Sequence, residues 1–282
     1  MNKVIWFIDA RFTVSDITLQ KVIEIATIFA VSIDIIVDKR IRSFERWYLP
    51  EWPQNTQLLE HSRTQQNQLT SYVQRSLGDN NIKHRVVDVI DADYLISLDK
   101  CLNAQEKNLL IIDNQPPGKR HSIFQQLGQL PCSVLLLTTT SWHTPFKVVA
   151  AVDPLHENAR PKTLDTSIVK WAKKWGGRLD ANWQLIHCCF VPGVFLEHKT
   201  AILGIHREGL DDFAKESAVK ASQTTLLQGN PENVLPEYIK ANHSDLLVIG
   251  LVARTRLGHF WVGSTTSALL ESPPCDMLLI KT

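Results

Sequence analysis

The chain has 282 residues, 44% hydrophobic and 21% charged, with a net charge of +1. Such a length and composition suit a globular protein of two domains of about 140 residues each. The near-zero charge, with no basic run interleaved with aromatic residues, argues against nucleic acid as a partner, and no apolar run approaches the roughly 18 residues that span a bilayer, so no membrane partner is expected either.

The opening Met1-Asn2-Lys3-Val4-Ile5-Trp6-Phe7-Ile8-Asp9 reaches an acid too soon for a signal peptide and reads instead as a first strand over 4–8. Further strands are expected over 33–37, 84–89, 109–112 and 134–137. The connection 38–79 carries the aromatic-proline cluster Trp47-Tyr48-Leu49-Pro50-Glu51-Trp52-Pro53, read as a local hydrophobic plug, and then a Gln-rich polar helix. Residues 138–145 form a short polar linker ending in Pro145. Beyond it, strands are expected over 147–153, 184–190, 224–228, 246–250 and 277–280. Helices are expected over 163–175, stopping at Gly176-Gly177, then over 211–222, 234–241 and 264–270. Strands and helices alternating at this spacing give an α/β fold with doubly wound parallel sheets. Cys101, Cys132, Cys188, Cys189 and Cys275 are odd in number and have no framework spacing, which points to a reducing, cytoplasmic compartment.

The two halves repeat. Pro131-Cys132-Ser133-Val134-Leu135-Leu136-Leu137 answers Pro274-Cys275-Asp276-Met277-Leu278-Leu279-Ile280, and Trp6-Phe7-Ile8-Asp9 answers Ala150-Ala151-Val152-Asp153. A fixed internal offset near half the chain length marks a duplicated domain, here 1–140 and 145–282, each with a five-stranded parallel sheet. The fifth strands, 134–137 and 277–280, are expected to pair within the chain, making a pseudo-dimeric monomer; a homodimer is the alternative. The copies differ after the fourth strand. Asp113 precedes Cys132 by 19 residues, whereas Gly250 precedes Cys275 by 25.

In a doubly wound sheet, ligands sit beyond the carboxyl ends of the strands where the strand order reverses. Asp153 and the stretch from Gly250 to Thr265 belong to that edge. Gly250 lets the chain turn off its strand, and Gly263 lets backbone approach a ligand. Ser264 and Thr265 stand at a helix start, where amides and partial positive charge hold anions, and Arg254 and Arg256 add cationic reach. Ser264 occupies the place where a Walker A loop needs lysine, and no GxGxxG follows either first strand, so a P-loop NTPase and a dinucleotide fold are both disfavoured. By spacing alone, a phosphate site and a plain helix cap are equally matched.

The chain resembles the universal stress protein family, in its tandem-domain E-type form. The resemblance is carried by Val148-Val149-Ala150-Ala151-Val152-Asp153, by Asp245-Leu246-Leu247-Val248-Ile249-Gly250, by Arg254-Thr255 and by Cys275-Asp276-Met277-Leu278-Leu279-Ile280-Lys281. It implies two tandem domains of the adenine nucleotide α-hydrolase-like fold. It also implies ATP or another adenine nucleotide as cofactor, with no metal beyond Mg carried by the nucleotide. The family's glycine signature reads here as Gly250, Ala253, Gly263 and Ser264, with alanine in place of the second glycine. The Ala253 methyl would crowd a phosphate if the backbone there needs positive φ and cost little if φ is negative. The resemblance assigns Asp153 to the ribose or adenine, Gly250, Ala253 and Arg254 to the loop, and Gly263, Ser264 and Thr265 to phosphate oxygens. In the first half Asp9 matches Asp153, but Asp113 stands where glycine would and Asn114-Gln115-Pro116-Pro117-Gly118 replaces the loop; an acid repels phosphate and proline removes a donor, so nucleotide is expected in the second half only.

No catalytic residues are expected, since no nucleophile elbow, Ser-His-Asp set or paired carboxylates stand out. His187 and Cys189 share one face of a strand and read as buried strand residues rather than as metal ligands. His198, His206 and His259 read as solvated, and Trp171 and Trp175 as core or interface. The function expected is that of a cytoplasmic, non-catalytic stress-response module, signalling or protective, with partners still to be named. A weak ATPase using the same loop and a nucleotide-free interaction scaffold are the alternatives.

Overall fold

The six residues from Val4 to Asp9 are all buried, so strand β1 (Lys3–Asp9) is covered on both faces, the condition of a central strand in a parallel sheet. The computed structural model describes residues 3–39, 54–89, 98, 101–102, 108–114, 122–155, 161, 163–256 and 259–282. The cluster Trp47 to Pro53 lies outside the described residues.

The chain divides into two units, Met1–His121 and Ser122–Thr282. In the first unit, β1 is followed by α1 (Asp16–Phe29), β2 (Ser32–Asp38), α2 (Gln54–Asp79), β3 (His84–Val89) and β4 (Leu109–Asp113). Its strands run parallel in the order β3-β2-β1-β4. Ser15 starts α1 by accepting a hydrogen bond from the Thr18 amide, and Ala30 ends it in the left-handed region (φ 51) while its N–H reaches the carbonyls of Ala26 and Thr27.

The second unit holds β5 (Ser133–Leu137), β6 (Lys147–Val152), α3 (Leu164–Leu179), β7 (Asn182–Cys189), α4 (Lys199–Glu216), β8 (Thr224–Gln228), α5 (Pro231–Ala241) and β9 (Leu246–Gly250). It ends with β10 (Ala253–Arg256), β11 (His259–Val262), α6 (Ser264–Glu271) and β12 (Asp276–Ile280). The order is β5-β12-β9-β6-β7-β8, parallel except at β5. The molecule is therefore a mixed α/β protein with a mostly parallel sheet, as the alternation of elements implies. The expected pairing of 134–137 with 277–280 is present: β5 runs antiparallel to β12, with Leu135 opposite Leu278. Both strands are buried throughout, which removes an exposed edge.

The polar linker is tied down. Buried Asp276 accepts from the Thr138 amide at 2.8 Å, the Thr138 hydroxyl at 2.7 Å and Trp142 Nε1 at 2.7 Å. Buried Asp245 accepts from the His143 amide at 2.8 Å, His143 Nδ1 at 2.7 Å and the Lys147 amide at 2.8 Å. Three donors each compensate these carboxylates for lost water. Trp142 also packs edge-on against Phe146 and Trp175, with ring centroids 4.9 and 6.2 Å away; Trp175 is thus core, as its helical spacing allowed.

Three expectations need correction. Helix α3 does not stop at Gly176-Gly177 but runs to Leu179 and ends at left-handed Asp180 (φ 48). Gly176 serves packing there, since a Cβ would lie 3.0 Å from Trp183 Cδ1. Helix α4 spans Lys199–Glu216 rather than 211–222, anchored by buried His206, Leu210 and Ala214 at four-residue steps. Between Gly250 and Gly263 the chain forms an antiparallel hairpin of β10 and β11, with Ala253 opposite Val262, instead of a plain loop.

Candidate functional site

Strands β6 and β9 are neighbours, with Val148 opposite Leu246 and Ala150 opposite Val248. The chain order reverses between them, so their carboxyl ends form the crevice of a doubly wound sheet. A cleft of about 690 Å³ opens there, within the size range of small-molecule sites. Of the residues singled out from sequence, Asp153, Gly250, Gly263, Ser264 and Thr265 all line it. Ala253 and Arg254 lie in β10; their side chains, and those of residues 255–262, are outside the described set.

Helix α6 begins at Gly263, whose backbone is extended (φ −53, ψ 149), and no side chain caps it. Ser264 and Thr265 are the first two helical residues, and the cap position is held by a residue without a side chain. The first amides of a helix have no intrahelical acceptor, and they concentrate partial positive charge. Here they stand beside the cleft. A Cβ at Gly263 would meet nothing within 4 Å, so protein packing does not require glycine; free space beside the helix end is what glycine supplies. Gly250 is different. A Cβ there would lie 2.6 Å from Leu164 Cδ2, so this glycine lets α3 approach β9.

Thr266, which sequence reasoning passed over, is buried and donates its hydroxyl to the Gly250 carbonyl at 3.2 Å. It joins the end of β9 to the start of α6 and so fixes the helix end at the crevice. Asp153 is half-buried, and its amide donates to Asp165 Oδ1 at 3.3 Å.

The far wall of the cleft holds a second feature that the sequence did not disclose. His187 and His206 both line it. His187 is buried, as expected of a strand residue, but His206 is also buried, at 7% exposure, which corrects its reading as solvated. His187 Nδ1 lies 3.1 Å from the Val152 carbonyl, which can only accept, so Nδ1 carries the proton. Its Nε2 then accepts from His206 Nδ1 at 2.7 Å. Burial holds His187 below the usual histidine value, which favours its uncharged form. Cys188, next along β7, is pushed up to about 12 by burial, which leaves it a thiol rather than a nucleophile. Among the described residues no group of three His, Cys, Asp or Glu is placed to hold a metal.

In the first unit, the counterpart of Asp153 is occupied by its own chain. Buried Asp9 accepts from Arg11 Nε at 2.6 Å and from the Arg11 amide at 3.2 Å, and it forms an ion pair with Arg11 Nη2. Asp113 accepts from Trp6 Nε1 at 3.1 Å, and desolvation pushes its carboxyl up to about 7. The expectation of a charged acid repelling phosphate is therefore modified: near neutrality Asp113 is only partly ionised. Of the replaced loop, Asn114 is described and residues 115–118 are not.

Residues 146–281 match the model of the universal stress protein family. This stretch is a domain of the universal stress protein family. Curated relatives include proteins of the E type: Universal stress protein E of Photorhabdus laumondii is 24% identical over 174 residues, covering 56% of this chain and 54% of the relative. The Escherichia coli K12 protein of the same name is 27% identical over 171 residues, covering 55% and 52%. The matched stretch thus spans about half the length of these relatives. Among solved structures, a functionally unknown protein of Pseudomonas aeruginosa PAO1 superposes with a TM-score of 0.73 at 17% identity, covering 99% of this chain and 92% of that one. A universal stress protein of Archaeoglobus fulgidus gives 0.65 at 13%, covering 99% and 98%. At such identities the structures speak for the fold. No helix among the described residues is long and apolar enough to cross a membrane.

Proposed function

We propose that this universal stress protein is a stress-response module of the cytoplasm that binds an adenine nucleotide, with ATP as the leading candidate, in the cleft of its second unit. One observation carries the reading. The uncapped start of α6 opens on the crevice between β6 and β9, beside a glycine that no packing contact explains. Backbone amides of Ser264, Thr265 and Thr266 would hold phosphate oxygens, Asp153 would meet the ribose, and Arg254 would add charge from β10. The first unit would carry no nucleotide, because Arg11 already closes on Asp9. Binding without turnover gives a module whose occupied and empty states differ in stability and surface, which suits a signalling or protective role.

Mass spectrometry of the intact protein after native purification tests this. A carried adenine nucleotide, at one per chain, is expected. A protein that emerges free of ligand and gains no mass on incubation with ATP and Mg would contradict the reading.

A further inference from the structure

Five large apolar side chains stand at least half exposed among the described residues: Phe190 (57%), Val194 (83%), Phe195 (50%), Leu196 (60%) and Ile205 (57%). All fall between 190 and 205, at the end of β7, on the 3-10 helix Gly193–His198 and on α4. Phe190, Phe195 and Ile205 also line the cleft. A concentrated apolar surface is costly to leave in water and marks a binding surface. Its continuity with the cleft points to the cleft's own ligand rather than to a separate partner.

The cleft is divided in chemistry. Its β9 side offers the helix amides with Ser264 and Thr265. Its β7 side offers Phe190, Phe195, Ile202 and Ile205, together with the hydrogen-bonded pair His187 and His206. Strand β6 separates the two sides, so they lie about 10 Å apart at the usual strand spacing. Val194 and Leu196, next to Phe195 in the chain, are exposed but do not line the cleft, so the apolar surface is more extensive than the cleft itself.

We infer that the cleft takes a phosphorylated amphiphile, with its phosphate at the start of α6 and an apolar chain laid over Phe190, Phe195 and Ile205 toward Val194 and Leu196. This rests on the phosphate reading of α6 given above, but not on an adenine ring. A nucleotide and the amphiphile would share the phosphate end and compete.

A chain-length series tests it on the full-length protein. Methyl, butyl, hexyl and octyl phosphate, each below its micelle concentration, are titrated by calorimetry alongside ATP and 1-octanol. Affinity for the alkyl phosphates is expected to climb by up to about fourfold per added methylene. Octanol, lacking the phosphate, should bind far more weakly than octyl phosphate, and ATP should compete with octyl phosphate. In Phe195→Ser/Ile205→Ser, both sites being exposed and their replacement tolerable to the fold, the climb with chain length should flatten. ATP binding together with alkyl phosphates of equal affinity would overturn the amphiphile and leave the nucleotide reading intact. A climbing series without ATP binding would uphold the amphiphile and sink the nucleotide. A climb that persists in Phe195→Ser/Ile205→Ser would overturn the placement of the chain. A flat series with concentration-dependent dimers that this variant dissolves would overturn the proposal and assign the patch to a second copy.

Discussion

Asp113 and Gly263 show how one side chain, or the lack of one, sets the character of each unit. At Gly263 the extended backbone and empty surroundings leave space beside free amides. At Asp113 a carboxyl is held against Trp6. Because burial raises the Asp113 carboxyl to about 7, its ionised form is disfavoured in the folded state. Its contribution to stability is complete below the ordinary value of 3.8 and is lost as pH rises through about 7. Asp113→Asn keeps an acceptor for Trp6 and removes the ionisation. It should stabilise the protein at pH 8 by about 2 kcal/mol, after allowance for partial solvent contact, and by little at pH 4. Urea melts at the two pH values check this; an equal effect at both would contradict the assignment. Ala253 is a milder case. It opens a strand, extended backbone that alanine adopts without strain. The positive φ that would have made its methyl costly is absent, so Ala253→Gly brings no conformational relief.

At the scale of elements, buried carboxylates hold the connection between β5 and β6. Asp276→Ala would strip the shared acceptor from the Thr138 amide, the Thr138 hydroxyl and Trp142 Nε1. A loss of about 3 kcal/mol is expected, with partial recovery in Asp276→Asn; an unchanged unfolding midpoint for Asp276→Ala would refute this anchoring. Both Asp245 and Asp276 were visible in the sequence only as members of family-like runs, because their partners lie more than ninety residues away in the chain. The strands of the parallel sheet were legible, since doubly buried parallel strands are unbroken apolar runs such as Leu246-Leu247-Val248-Ile249. Helix ends were less so. Gly176 read as a stop, yet it exists to admit Trp183, a tertiary contact that no local pattern records. The start of α4 was missed because its buried stripe is narrow, three residues, while apolar Ile205 in its first turns faces solvent. The hairpin of β10 and β11 was hidden by reading the glycines at 250 and 263 as the ends of one loop. His206 was unreadable for the same reason as the carboxylates: its partner, His187, sits on another element.

At the scale of the molecule, the two units share a strand order and differ in what stands at its carboxyl edge. The strand order β3-β2-β1-β4 in the first unit recurs as β8-β7-β6-β9 in the second, where β12 and β5 extend it. Asp9 ends β1 and Asp153 follows β6, the strand at the same place in that order, but Arg11 closes on the one, whereas the other lines a cleft with Ser264 and Thr265. The central claim is that phosphate is held at the start of α6, and Gly263→Val tests it most directly. The added side chain meets open space in the protein, and its φ of −53 suits valine, so the fold should survive with a stability change within about 1 kcal/mol. Two methyls would fill the space that a phosphate needs. Calorimetric titration of the full chain with ATP and Mg should give one site per chain in the wild type and at least a hundredfold weaker binding, about 2.7 kcal/mol, in Gly263→Val. Equal affinity in the two proteins, or two equivalent sites per chain, would contradict the account.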